Sequence, residues 1–354
     1  MDKRYFSDKV VKWYEENKRD LPWRQTKDPY KVWLSEIILQ QTRVIQGLPY
    51  YLRFTEKFPT VHALAAAAEQ DVLRLWQGLG YYTRARNLHK CAQEVVNTFG
   101  GHFPDNFEDL KKLRGIGDYT AAAIASFSFR EPVAVVDGNV FRVLARVFGI
   151  EKEINSPEGK KIFTQLANEL ISKKHPDVFN QAIMEFGALF CTPKNPDCPA
   201  CIFRTSCFAA QHGLQAQLPV KAKAKAARKR YFYYVVMQKG KSLLMKKREA
   251  KDIWHGLFDF YLIEKTKAVK TEKLLAELSA SGVATLDASE ADTSTVYKHV
   301  LSHQIIFARF IVVAASASQA VAGEPGLKFY SLKKIADLPK PVLISRFLAD
   351  RQLL

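Results

Sequence analysis

Four of the five cysteines in this 354-residue chain fall in one stretch, "CTPKNPDCPACIFRTSC", residues 191–207, with the spacing C-x6-C-x2-C-x5-C. No other feature limits the fold so tightly. Four sulfurs gathered this closely pair as disulfides, bind a zinc ion, or hold an iron–sulfur cluster. The compartment bears on the choice. The opening run "MDKRYFSDKVVKWYEENKRD" is charged and amphipathic, unlike a signal peptide, and no stretch of eighteen apolar residues occurs. These features predict a soluble, cytoplasmic protein with no membrane partner. In that reducing setting clustered cysteines favour metal over disulfide. Cys91, in the helical pattern "NLHKCAQEVV", reads as an ordinary buried thiol.

The length predicts two domains, and 47% hydrophobic residues are enough for two cores. Residues 7–210 carry apolar residues at i, i+3 and i+4 in segment after segment, among them "VWLSEIILQQTRVI" and "NVFRVLARVFG", which predicts an all-α domain. Residues 211–229 turn basic, with alternating Lys, Ala and Arg and no apolar face, and read as a tether. From residue 230 to 354 the period shortens. "YFYYVVMQ", "FDFYLIE" and "IIFARFIVVAA" read as strands and "LKKIADLPKPVLISRFLADR" as helical, which predicts an α+β domain. A formal charge of +17 points to a polyanionic partner, with nucleic acid the default.

Three motifs offer chemistry. In "LKKLRGIGDYTAAAIASF", residues 110–127, one helix ends, a hairpin containing Gly115 and Gly117 follows, and another helix opens. Glycines permit positive φ and close backbone approach, and the N–H groups of such a hairpin suit a phosphate. In "AVVDGNVFRVLAR", Asp137 and Asn139 precede a helix that either residue can cap. Glu36, inside "PYKVWLSEIILQQT", either faces solvent or faces a cleft whose apolar walls raise its pKa until it holds a proton near neutrality. A protonated Glu36 beside an ionised Asp137 is the acid–base division that cleaves a glycosidic bond.

The hairpin with its flanking L-x-G-I-G-x-x-T-A pattern, and the cysteine spacing about seventy residues downstream, resemble the helix-hairpin-helix DNA glycosylase superfamily that contains endonuclease III. Within it, "LPWR", "LWQGLGYYTRARNLHK", "VVDGNVFRVLAR" and "FNQAIMEFGALFC" resemble the MutY family of adenine DNA glycosylases, densely over residues 7–210 and more thinly beyond. The resemblance implies an α + α+β chain: an all-α glycosylase domain over 1–210, followed by a Nudix-like domain over 230–354. The first divides into a six-helix barrel at about 22–132 and an iron–sulfur module from 1–21 plus 133–210. Cys191, Cys198, Cys201 and Cys207 are then the ligands of a [4Fe–4S] cluster. The implied partner is double-stranded DNA carrying adenine opposite 8-oxoguanine or guanine, bound by a monomer; no protein partner is identified.

The same resemblance assigns roles. Glu36 protonates adenine N7, Asp137 stabilises the sugar cation, and Asn139 orients the aspartate. Tyr119 occupies the position where strand-cleaving relatives carry an attacking lysine, so lyase activity is expected to be weak or absent. Gln41 and Tyr81 are placed as wedges beside 8-oxoguanine, with Thr42 and Leu79 next to them, and Arg24 of "LPWR" joins the DNA contacts. Ser302 and His303, in "LSHQ", stand where the family recognises the modified base, with Leu301 at a position where the family has Phe. The region of a catalytic Nudix helix offers only Glu272 and Glu277, too few carboxylates to hold Mg²⁺ for pyrophosphate cleavage.

Overall fold

The computed structural model of the protein describes residues 2–222, 226–280, 291–314 and 325–354. Residues 223–225 of the basic tether lie outside the described residues. The chain divides into two compact units. One comprises Met1–Ala66 and Asn87–Lys223; the other comprises Ala67–Arg86 and Ala224–Leu354.

Helices dominate the first 212 residues: α1 (Lys3–Asn17), α2 (Pro29–Leu39), α3 (Val44–Lys57), α4 (Val61–Ala66), α5 (Glu69–Leu75), α6 (Thr83–Phe99), α7 (Phe107–Leu110), α8 (Asp118–Phe129), α9 (Gly138–Phe148), α10 (Pro157–Leu170), α11 (Pro176–Leu189) and α12 (Phe208–His212). Their starts follow capping chemistry. Asp2, Asp28, Asn106, Asp137 and Ser156 each accept a hydrogen bond from the first turn of the helix they precede. Helices α2 and α8 bury residues on every side, which suits central positions in a bundle.

A core formed by α1, α9, α10 and α11 also takes in Phe203 and Cys207 from the cysteine-rich loop. Phe203 is fully buried, stacked on Phe6 at 4.9 Å and edge-on to Phe186 at 5.5 Å. Burial of such a ring contributes about 1.5–3 kcal/mol. It ties a loop with little regular structure of its own to helices from both ends of the first unit.

The second unit is built on β1 (Arg228–Lys239), β2 (Ser242–Lys247), β3 (Phe258–Asp259), β4 (Tyr261–Lys265), β5 (Asp292–Thr293), β6 (Tyr297–Val300), β7 (Gln304–Ala314) and β8 (Lys328–Ser331), with α13 (Thr271–Ala280), α14 (Leu332–Asp337) and α15 (Val342–Asp350). The described strands form one sheet, and β1 and β7 pair in parallel along Arg228–Gln238 and Gln304–Ala314. Segment Ala67–Arg86 joins this unit through Arg86, whose Nη1 donates to His255 O at 2.6 Å, and Gln77, whose Nε2 donates to Ser345 Oγ at 3.1 Å. Among the described residues no helix is long and apolar enough to cross a membrane.

Candidate active site

Glu36 sits in the middle of α2 between Ser35 and Ile37 and is 6% exposed. Asp28 and Pro29 fix the helix start and so set the face on which Glu36 falls. That face meets α8, from which Tyr119 Oη donates to Glu36 Oε2 at 2.5 Å. Burial pushes the Glu36 carboxyl up to about 7. The Tyr119 hydrogen bond pulls the other way, and the charge of Asp137 adds to the rise. An acid shifted in this direction keeps its proton closer to neutral pH than an ordinary glutamate does, which suits proton delivery.

Asp137 caps α9. Its Oδ1 accepts from the Asn139 and Val140 amides at 2.8 and 2.7 Å, and its Oδ2 from Asn139 Nδ2 at 2.7 Å. Burial raises its pKa, while these donors and the positive charge of Arg142 oppose the rise. The capping expected of Asp137 is present, and the same residue lines a cavity. Arg142, one turn into α9, donates to Asn139 Oδ1 at 2.8 Å and Gly187 O at 2.6 Å, and through Nε to Cys191 O at 2.7 Å. The start of α9 lies close against α11. A Cβ on Gly187 would stand 2.7 Å from Asn139 Cβ and 3.0 Å from its carbonyl oxygen.

Glu36, Tyr119, Asp137, Asn139, Thr42 and Arg24 line one cavity of about 520 Å³. Its lining also includes Glu185, 1% exposed, which sequence reasoning did not single out. Arg24 donates to both Glu185 oxygens at 2.9 and 2.7 Å, and Arg19 to both at 2.8 and 2.6 Å. Arg24, placed by resemblance among DNA contacts, thus has its guanidinium engaged inside the protein. Burial by itself would raise Glu185, but hydrogen bonds from Arg19 and Arg24 carry it down to about 2.

In the hairpin, Gly115 has φ 77° and no room for a side chain, since a Cβ would stand 2.8 Å from Asn87 Cβ. Gly117 caps α8 at φ −99°, with open space around it, so neither conformation nor internal packing demands a glycine there. Gln41 is exposed and holds φ 55°. In the second unit, Tyr81 holds φ 47°, and its hydroxyl is hydrogen-bonded to Ser302 Oγ. Leu79 is buried, at 7% exposure, while His303 is exposed and its carbonyl accepts from Arg228 N at 3.0 Å.

The four clustered cysteines form no disulfide and line one small cavity beside Arg146 and Arg204. Arg146 Nη1 reaches Cys191 Sγ at 3.5 Å and braces the loop through the carbonyls of Thr192 at 2.7 Å and Pro193 at 3.1 Å. Burial pushes Cys201 up to about 12. Among the described residues no three His, Cys, Asp or Glu side chains converge closely enough for a single metal ion. The four cysteines line one cavity, and thiolates are the ligands that iron–sulfur clusters take.

Residues 34–172 match the HhH-GPD superfamily of base excision DNA repair proteins, and residues 232–350 match the NUDIX domain. The adenine DNA glycosylase of Buchnera aphidicola subsp. Schizaphis graminum is 37% identical over 345 residues, covering 95% of this chain and 96% of the relative. The same enzyme from subsp. Baizongia pistaciae is 31% identical over 341 residues, covering 95% and 94%. Among solved structures, a thermostable thymine-DNA glycosylase superposes with a TM-score of 0.56 at 29% identity, covering 59% of this chain and 97% of that one. With near-full-length similarity to these enzymes and a buried glutamate and capped aspartate on one cavity, the chain belongs to the adenine DNA glycosylase family.

Proposed function

We propose that this glycosylase excises adenine mispaired with 8-oxoguanine or guanine, with Glu36 as proton donor and Asp137 as the carboxylate that stabilises the sugar cation. The observation that carries this reading is that Glu36 and Asp137 line one cavity with different hydrogen-bond partners, one neutral hydroxyl for Glu36 and three donors for Asp137. Glu36 is held near the pH where it can give up a proton, and Asp137 is fixed by three donors that favour its charge. An extruded base pays an unstacking cost of roughly a few kcal/mol. Protonation at adenine N7 by Glu36 weakens the N-glycosidic bond, Asp137 faces the positive charge that develops on the sugar, and water completes hydrolysis. Tyr119 holds the Glu36 carboxyl and carries no amine for attack on the sugar.

DNA contacts are assigned to Gln41 and Thr42, to the Gly115–Gly117 hairpin, and to Leu79, Tyr81, Ser302 and His303. Gln41 and Tyr81 support the wedge role through their left-handed backbones, a conformation costly for residues with side chains and concentrated at functional sites. The Tyr81–Ser302 hydrogen bond puts two of these residues in contact. Cys191, Cys198, Cys201 and Cys207 would hold a [4Fe–4S] cluster that cross-links the loop bearing the exposed cations Lys194 and Arg204, which suits contact with DNA phosphate.

An end-labelled duplex carrying adenine opposite 8-oxoguanine tests the reading. Strand breaks are expected only after hot alkali, and none with Glu36→Gln. Breaks without alkali indicate a lyase, and intact DNA under both conditions rejects the assignment.

A further inference from the structure

We infer that Asn180 is a positioning residue for this reaction: its buried side-chain amide holds the connecting segment that delivers Asp137 to the cavity. Residues 131–136 connect α8 to α9 with no strand beside them. Its middle is nonetheless buried, with Ala134 6% and Val135 1% exposed, so the peptide groups there need partners. Asn180, on α11 and 0% exposed, supplies them. Its Oδ1 accepts from Val135 N at 3.0 Å, and its Nδ2 donates to Val133 O at 2.9 Å and to Ser126 Oγ of α8 at 2.8 Å. The acceptor and both donor hydrogens of the amide are used, so one side chain replaces the peptide unit of an absent neighbouring strand. Asn168, from α10, adds a fourth bond by accepting from Ala134 N at 2.9 Å.

Val135 lies two residues before Asp137, and two extended residues span at most about 7 Å. Fixing the Val135 peptide therefore restricts where the aspartate Cα can stand. The restraint on the other side comes from the same helix. Gly187, seven residues and about two turns beyond Asn180 on one face of α11, leaves the space that Asn139 occupies. Met184, between them on that face, lines the cavity. A single stripe of α11 thus sets the approach to Asp137, part of the cavity wall and the start of α9. An apolar residue at 180 would fill the volume and leave three polar groups unpaired. An ionised aspartate would have no hydrogen to give to Val133 O or Ser126.

This inference rests on Asp137 acting on the sugar, and the experiment separates the two claims. Single-turnover cleavage is measured on a duplex with adenine opposite 8-oxoguanine. Affinity is measured for the same duplex carrying a non-cleavable 2′-fluoro adenosine, and stability by thermal melting. Asn180→Ala is expected to lower the cleavage rate by about tenfold or more while leaving affinity within about twofold. Ile183→Ala removes a buried neighbour on α11, 1% exposed, and is expected to lower the melting temperature while the rate stays within about twofold. Asn168→Ala, at an exposed position, breaks one bond to the same segment and is expected to cost about threefold in rate, and it keeps the inference testable if Asn180→Ala does not fold. An active Asp137→Asn removes the premise. An inactive Asp137→Asn together with wild-type rates in Asn180→Ala and Asn168→Ala overturns the positioning role, as does an equal loss of rate in Ile183→Ala.

Discussion

Two glutamates line one cavity, and both are almost wholly buried, yet Glu36 is carried up to about 7 and Glu185 down to about 2. Burial penalises the charge of each. The difference lies in the partners. Glu185 receives two guanidinium forks, whereas Glu36 receives one neutral hydroxyl. Charge-assisted donors in a fixed fork outweigh desolvation, and a phenol does not. Degree of burial therefore says little about the charge state of an acid in this cavity, and the hydrogen-bond donors decide it.

Removing the donors of Glu185 breaks the comparison most severely. Arg19→Ala with Arg24→Ala leaves an uncompensated buried charge, at an expected cost of about 3–5 kcal/mol in denaturant unfolding at pH 7. Because the folded-state pKa is depressed, the stability it confers is present above the usual carboxylate range and disappears as pH falls toward about 2. The double variant should therefore differ less from wild type at pH 3 than at pH 7.

Glu36 has the opposite sign. Its folded pKa is raised, so the native state keeps a proton that the unfolded chain releases, and stability falls as pH climbs from the ordinary glutamate range through about 7. Glu36→Gln removes that penalty, worth about 3 kcal/mol, and is expected to be more stable than wild type at pH 8 and little changed at pH 4. The same variant should lose glycosylase activity by about 10²–10⁴-fold, so the gain in stability comes with the loss of chemistry.

Gly187→Ala tests whether geometry matters as much as charge. Crowding Asn139 is expected to cost about 1–3 kcal/mol and to slow cleavage, while the pH dependence keeps its shape. Tyr119→Phe has the smallest effect. Losing the one donor to Glu36 is expected to move the alkaline limb of the activity profile upward by about one unit or less, and a downward shift would show that the phenol acts in another way.

The sequence made the helical and mixed halves legible because period and composition change together at the basic tether. Glu36, Tyr119, Asp137 and Asn139 were legible because their neighbours form local motifs. Asn180, Glu185 and Arg142 were not. Each is a polar residue of an amphipathic-looking helix, where a polar side chain reads as a solvent-facing position, and most of their partners lie far along the chain. Arg24 and Glu185 are 161 residues apart, and Val135 and Asn180 are 45 apart. Gly187 pointed to tight packing only once Asn139 was known to stand against it. Such residues declare themselves when a buried donor is matched with its acceptor, a step that periodicity cannot perform.

The discontinuous second unit bears on the birth of the protein. Arg86 leaves the ribosome 169 residues before its acceptor His255. At ordinary elongation speeds that gap lasts on the order of ten to thirty seconds. Throughout it, Leu73 and Trp76, both fully buried in the finished molecule, emerge ahead of the strands of their own unit. The hydrogen bonds that tie residues 67–86 to their own unit, Arg86 to His255 and Gln77 to Ser345, therefore form only after residues 255 and 345 have been made.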